Sequence, residues 1–160
     1  MAKCFTLIGV PASGKSTWRI NQNFPHVVVS TDEYIEQLAT ETGKTYNVLF
    51  TEPGVFDRAL ERMNQLVKDA RTNKTTVVWD QTNLTRKSRK KVFRQLPDHE
   101  HVAVVFDIPD DHLLKSRIES RKGKYIPDDV IEGMKTRYSV PGDDEPFETI
   151  LFIDCWGNTK

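Results

Sequence analysis

Residues Gly9 to Thr17 read GVPASGKST, and Gly9, Gly14, Lys15 and Ser16 occupy every fixed position of the pattern G-x-x-x-x-G-K-[ST]. The chemistry of that spacing is phosphate binding. Gly14 can take backbone geometry closed to other residues, which lets consecutive amides from Ala12 and Ser13 through Thr17 turn toward the oxygens of a phosphate chain. Lys15 adds a positive charge for the outer phosphates, and Ser16 a hydroxyl for magnesium. The loop therefore implies ATP with Mg2+ on the donor side of a reaction and leaves the acceptor open.

Candidates for the acceptor side are polar residues that follow apolar runs. Asp32, in Ser30-Thr31-Asp32 behind Val27–Val29, has two readings: a base that takes the proton of an attacking hydroxyl, or, with Thr31, an N-cap of the next helix. Spacing alone does not separate them. Asp80 closes the run TTVVWD, with Gln81, Thr82 and Asn83 behind it. Its carboxylate suits supporting magnesium or orienting Lys15, while Thr82 and Asn83 suit hydrogen bonds around the acceptor; an Asx or capping turn explains the same residues. Arg117 and Arg121, in KSRIESRKGKYIP, share one helix face and lead into Lys122-Gly123-Lys124. That segment reads as a flexible lid whose guanidinium groups close on a transferring phosphoryl group, with a solvated basic helix end as the alternative.

The hydrophobic pattern indicates what must hold these groups in place. β-rich runs at Cys4–Ile8, Val27–Val29, Thr76–Trp79, Val102–Phe106 and Thr149–Ile153 alternate with helical periodicity over Ser16–Asn23, Glu33–Thr40, Phe56–Arg71, Arg86–Leu96, Asp110–Ser120 and Asp128–Tyr138. The alternation predicts one α/β domain over residues 1–160, a five-stranded parallel sheet with helices on both faces. In such a sheet, ligands sit outside the carboxyl ends of the strands. Lys plus Arg and Asp plus Glu each number 23, so the formal net charge is zero and any polyanion must be met by a local patch. Cys4 and Cys155 have no partner at redox or ligand spacing and are expected as buried free thiols of a cytoplasmic protein. No run approaches the roughly 20 apolar residues of a membrane span, and the early first strand leads us to expect no secretory leader.

Taken in order, GVPASGKST, STDEY, DQTN and the paired arginines of FDIP…KSRIESRKGKYIP resemble the P-loop kinase domain of the bacteriophage polynucleotide 5'-kinases. The likeness runs from Lys3 to about Tyr138 and includes Trp18 and the turn Phe106–Pro109. It implies a nucleoside-kinase-like P-loop fold and ATP-dependent phosphoryl transfer to a polynucleotide 5'-hydroxyl, DNA or RNA, in a cytoplasm that for a phage-encoded enzyme is the host's. By the same resemblance Lys15 and Ser16 serve the donor and magnesium, Asp32 is the general base, Arg117 and Arg121 are lid arginines, and Tyr34 lies on the acceptor side. Two features depart from the pattern. The phage enzymes follow that tyrosine with an arginine that contacts a substrate phosphate, where this chain has Ile35, and they commonly carry a phosphatase domain whose D-x-D-x-T motif this sequence lacks. The next acceptors in order are a hydroxymethyl group on a DNA base, as in hydroxymethyluracil DNA, and a small-molecule hydroxyl. Asp32 and the lid arginines argue against a nucleotide-binding module that transfers nothing.

Three further stretches invite a role. TRKSRKKVFRQL carries Arg86, Lys87, Arg89, Lys90, Lys91 and Arg94 and reads as a solvated face or as a track for a phosphate backbone. Gly43–Phe56 has little helical period and offers Tyr46, Phe50 and Phe56 as base-stacking groups, with core packing the first expectation for Phe56. Neither DDHLL nor GDDEPFE is assigned a metal, and His26, His99, His101 and His112 are expected at the surface.

Overall fold

The computed structural model describes residues 1–160. In chain order the elements are β1 (Lys3–Ile8), α1 (Lys15–Ile20), β2 (Val27–Val29), α2 (Thr31–Thr42), α3 (Tyr46–Thr51) and α4 (Val55–Asn73). They continue with β3 (Val77–Trp79), α5 (Arg86–Gln95), β4 (Glu100–Phe106), α6 (Asp111–Glu119), α7 (Asp128–Arg137) and β5 (Thr149–Ile153). The five strands form one sheet in the order β2-β3-β1-β4-β5, and every pairing is parallel. The expected α/β architecture is thus present, with each expected strand in place and its bounds shifted by two residues at most.

Strand residues alternate between two apolar layers, which is why the runs read as continuously hydrophobic. Cys4, Val77 and Trp79 pack with Met63 and Val67 of α4, Val92 of α5 and Leu96 just past its end on one face. Leu7, Val78, Val104, Phe106 and Ile153 pack on the other, against Phe5, Trp18 and Phe24. Trp79 is fully buried because its indole nitrogen donates to Gln81 Oε1 at 3.0 Å.

Helix α3 is absent from the sequence reading. Thr45 caps it by accepting from the Val48 amide at 3.3 Å, but six residues are too few to show a period. A cluster of Ile35, Leu49, Val55 and Ala59 fixes α2, α3 and α4 together. Ile35 is completely buried there, so the position where the phage enzymes carry an arginine is a core position in this chain. Phe56, expected inside, is exposed and stands edge-on to Phe50 at 5.8 Å between ring centroids.

Other surface assignments need correction. His99 and His101 are buried, each donating Nε2–H to a backbone carbonyl at 2.8 Å, Thr75 and Leu96 respectively. Cys4 is buried as expected, whereas Cys155 is only half-buried. The cations of α5 also divide. Arg89 is fully buried, paired through Nε to Glu145 Oε1 at 2.7 Å and donating to the Asn83 and Ser139 carbonyls at 3.0 and 2.9 Å. Its guanidinium ties β3's exit, α5 and the Ser139–Glu145 segment into one block. Arg86 pairs with Asp144, while Lys87, Lys90, Lys91 and Arg94 face solvent.

Removing one partner of a buried pair leaves the other charge uncompensated. Glu145 is 7% exposed, so Arg89→Ala should lower unfolding stability by about 3–5 kcal/mol in denaturant titrations. A loss below about 1 kcal/mol, the range of surface pairs, would show that the block does not depend on this pair.

Candidate active site

The parallel register aligns the exits of three strands. Val29 pairs with Trp79 and Trp79 with Thr6, so β2, β3 and β1 run out at one edge, with Ser30 and Asp80 level with Leu7 and Gly9 two residues beyond it. Backbone and side-chain bonds tie these exits together. Asp80 N donates to Val29 O at 2.9 Å, Gly9 N to Thr82 O at 3.0 Å, and Asn83 Nδ2 to Leu7 O at 2.8 Å. Above them opens a cleft of about 810 Å³ whose walls include Lys15, Ser16, Asp32, Asp80, Thr82 and Arg121.

The loop itself shows why its residue types are required. A Cβ on Gly9 would stand 2.6 Å from Ser13 Oγ and 3.1 Å from Phe106 Cβ. Ala12 and Gly14 take positive φ, 62° and 105°, and together fold the loop back over the strand exit. Two observations test its fit to a phosphate chain. The amides of Gly14, Lys15, Ser16 and Thr17 find no acceptor among the backbone bonds, and the buried Ser13 Oγ has no partner. Such donors converging on an open cleft match the oxygens of a nucleoside triphosphate. Lys15 Nζ donates to Gly9 O and Val10 O, both at 2.9 Å. Burial of its ammonium lowers the Lys15 pKa to about 8, opposed by the Asp80 carboxylate.

The two acidic candidates sit in different electrostatic settings. Asp80 Oδ2 accepts from Arg19 Nε at 3.1 Å, and Arg19 Nη2 reaches Glu33 Oε2 at 3.1 Å. Burial raises the Asp80 carboxyl above its usual range, while Lys15 and Arg19 hold it down. Asp32 is not a cap. Ser30, extended at φ −160°, accepts from the Glu33 amide at 3.2 Å, so the helix starts at Thr31 and leaves the Asp32 carboxylate free to face the cleft. Asp32 is half exposed; Oδ1 accepts from Tyr46 OH at 2.5 Å and Oδ2 from Lys124 Nζ at 3.1 Å.

The segment after α6 is docked rather than loose. Gly123 takes φ +73°, and its carbonyl accepts from Asn47 N at 3.0 Å; the Asn47 side chain also bonds the Tyr125 carbonyl and amide at 3.1 and 2.8 Å. Lys124 reaches both Asp32 and, at 3.0 Å, Glu36 Oε1. The two arginines have different surroundings. Arg117 is fixed, donating to Ala12 O at 3.2 Å and Cys155 O at 2.5 Å, whereas the Arg121 guanidinium lines the cleft with no protein partner.

Among the expected acceptor residues, Thr82 lines the cleft but Asn83 and Tyr34 do not. Asn83 is buried, in left-handed geometry at φ 47°, with its amide engaged on Leu7 and Gln81 carbonyls. Tyr34 packs against the Ile35 cluster. Arg19 and Trp156 escaped the sequence reading of the site, which named Tyr46 as a stacking group and Lys124 as part of the lid but not the contact either makes with Asp32. Trp156 is 74% exposed, with the Arg117 guanidinium 5.7 Å from its ring centroid. Its loop is built by Asp154, whose Oδ1 accepts the Trp156 and Asn158 amides at 2.8 and 2.9 Å. No group of three or more acidic, histidine or cysteine side chains converges as a metal cage.

Comparison with known proteins agrees with this geometry. The AAA domain family matches residues 5–141. An L-seryl-tRNA(Sec) kinase of Methanococcus maripaludis is 29% identical over 145 residues, 85% of this chain and 52% of the relative, so the chain spans about half of that protein's length. Among solved structures, a chain of the Pnkp1/Rnl/Hen1 RNA repair complex superposes with a TM-score of 0.66 at 27% identity, over 85% of this chain and 43% of that one. A putative kinase from Chloroflexus aurantiacus, at 17% identity and a TM-score of 0.63 over 96% of this chain and 85% of that one, shares the fold.

The Lys15 shift has a measurable sign. Above about 8 the free protein has lost the Lys15 proton, and a bound triphosphate draws one back; below it the proton is already present. Calorimetry of Mg-ATP binding in buffers of unlike ionisation enthalpy should therefore read proton uptake that grows from about pH 7 to about pH 9. Affinity should fall by about tenfold per pH unit beyond the Lys15 value. Lys15→Met should abolish the uptake.

Proposed function

The chain belongs to the AAA domain family matched above, here a P-loop kinase, and from that premise we propose that it transfers the γ-phosphoryl group of ATP to a polynucleotide 5'-hydroxyl, DNA or RNA. The observation that carries this reading is the position of Asp32. Its carboxylate is released from capping by Ser30, is half exposed on the cleft wall, and lies close enough to Lys15 to favour that ammonium's charged form. A purely nucleotide-binding module has no use for such a group.

In the proposed reaction Asp32 accepts the proton of the attacking hydroxyl while the hydroxyl oxygen bonds to the γ-phosphorus and the bond to the bridging oxygen of ADP breaks. Lys15, drawn off the Gly9 and Val10 carbonyls, meets the outer phosphate oxygens. Arg121, which has no partner to give up, meets the equatorial charge of the transition state. Ser16 would hold magnesium, with Asp80 behind it, and the ion would supply positive charge to the phosphate oxygens. The exposed indole of Trp156, held beside Arg117, offers a flat surface for the base of the donor.

Support for a nucleic-acid acceptor comes from Phe50 and Phe56, both exposed on the surface that leads away from Asp32, where unstacked bases can lie. A similar reading with a different acceptor, a base hydroxymethyl group or a small-molecule hydroxyl, is favoured by one observation. With Ile35 buried, nothing at that position can contact a phosphate beside the acceptor, and Ile35→Arg would put a charge into the core.

The deciding experiment supplies labelled ATP with 5'-hydroxyl DNA, 5'-hydroxyl RNA, hydroxymethyluracil DNA and mononucleosides. We expect the 5'-hydroxyl ends to be labelled most, and preferential labelling of hydroxymethyluracil would move the assignment to the base. Asp32→Asn should leave the melting temperature and ATP affinity near wild type and lower kcat by about 100-fold or more. A wild-type rate in that variant would remove Asp32 as the base.

A further inference from the structure

Helix α3 contacts both halves of the acceptor machinery. Through Tyr46 it touches Asp32, and through the adjacent Asn47 it holds the Gly123–Tyr125 segment that carries Lys124. Lys124 then closes the arrangement by reaching Asp32 Oδ2 and Glu36 Oε1, with its ammonium 4.3 Å from the centroid of the Tyr46 ring. Only 11% of its side chain is exposed. Because the same ring stacks on Phe50 at 5.9 Å and 19°, Tyr46 is held on its face as well as at its hydroxyl.

The phenol is a dependable donor. Burial and the hydrogen bond to Asp32 both raise its pKa above the usual tyrosine range, so at neutral pH the phenol is protonated and donates. A carboxylate that receives one donor at Oδ1 from α3 and one at Oδ2 from the lid cannot rotate about its terminal bond. An acceptor hydroxyl that takes the place of the ammonium at Oδ2 meets a carboxylate still held at Oδ1 by Tyr46, and Lys124 keeps its second partner, Glu36.

We propose that Tyr46 is the positioning residue of Asp32, and that with Lys124 it makes alignment of the base and docking of the lid a single event. This inference rests on the kinase reading above. During the step the hydroxyl proton passes to Asp32 Oδ2, the hydroxyl oxygen forms the new bond to phosphorus, ADP leaves with the electrons of the broken bond, and Tyr46 keeps its own proton throughout. Tyr46 touches no reacting atom; it acts through the carboxylate. The sequence suggested base stacking for this residue, but its hydroxyl and ring are both engaged by the protein.

The test compares wild type, Tyr46→Phe, Lys124→Met and the double variant in phosphoryl transfer to the best acceptor of the panel, with melting temperature alongside. Tyr46→Phe keeps the ring and its stacking, so the expected result is a kcat lower by about 10- to 100-fold, the scale of a misaligned reacting group, with both KM values and the melting temperature unchanged. Lys124→Met should lower kcat too, and the double variant should be no slower than the slower single variant, because both donors act through one carboxylate. An unchanged kcat in Tyr46→Phe, a rise in acceptor KM alone, or losses that multiply in the double variant would each overturn the proposal while leaving the kinase reading intact. A wild type that labels no acceptor would remove both.

Discussion

The site depends first on the register of three parallel strands. The cleft residues Asp32, Asp80 and Thr82 lie one to three positions past the end of β2 or β3, the phosphate loop begins directly after β1, and the pairings Val29–Trp79 and Trp79–Thr6 bring those exits to one edge. A slip of one residue in any pairing would turn the alternating apolar layers inside out as well as move the exits. The bonds from Gly9 to Thr82 and from Asn83 to Leu7 fix the phosphate loop to the neighbouring exit. Asn83 and Gly9 thus matter through the backbone they hold, and neither needs to touch a ligand.

On that edge the charges are organised in pairs of carboxylates, each bridged by one cation. Arg19 spans Asp80 and Glu33, and Lys124 spans Asp32 and Glu36. The arrangement lets acidic groups stand close to Lys15 without repelling one another into solvent. It also separates two kinds of carboxylate. Asp80 is sunk behind the loop with 9% of its side chain exposed, suited to a fixed electrostatic role, and Asp32 is open to an incoming group. Arg121, with no partner, is the cation left available to a developing negative charge.

A second layer of organisation lies off the sheet. The cluster of Ile35, Leu49, Val55 and Ala59 packs α2, α3 and α4 against one another, and in doing so sets Tyr46 over Asp32 and Asn47 under the lid. At the far side Arg117 joins the phosphate loop to the Cys155 carbonyl and so positions the loop that exposes Trp156. Donor and acceptor walls therefore reach the loop from different parts of the chain, which is how one P-loop frame accommodates different acceptors.

By itself the sequence determined the sheet, its strands, the phosphate loop and its order relative to Asp32, Asp80 and Arg121. These depend on local period and on residue types whose backbone or charge is required where they stand, as with Gly14 at φ 105°. What it left open was resolved by partners distant in the chain. For Asp32 the cap reading ended when Ser30 was seen to hold the Glu33 amide. Arg89 read as one of six surface cations, and only Glu145 and the Ser139 carbonyl, more than forty positions away, make it a buried tie. The sequence offered Tyr46 as a stacking group and Lys124 as one cation of a lid, but not their contacts with Asp32, because a six-residue helix has no period and a lysine in a basic run resembles its neighbours; Trp156 gave no signal, since an exposed tryptophan acquires meaning only from what faces it. Hydrophobic period is a property of the local chain, whereas the environment of a side chain is a sum over residues that only the packed structure brings together.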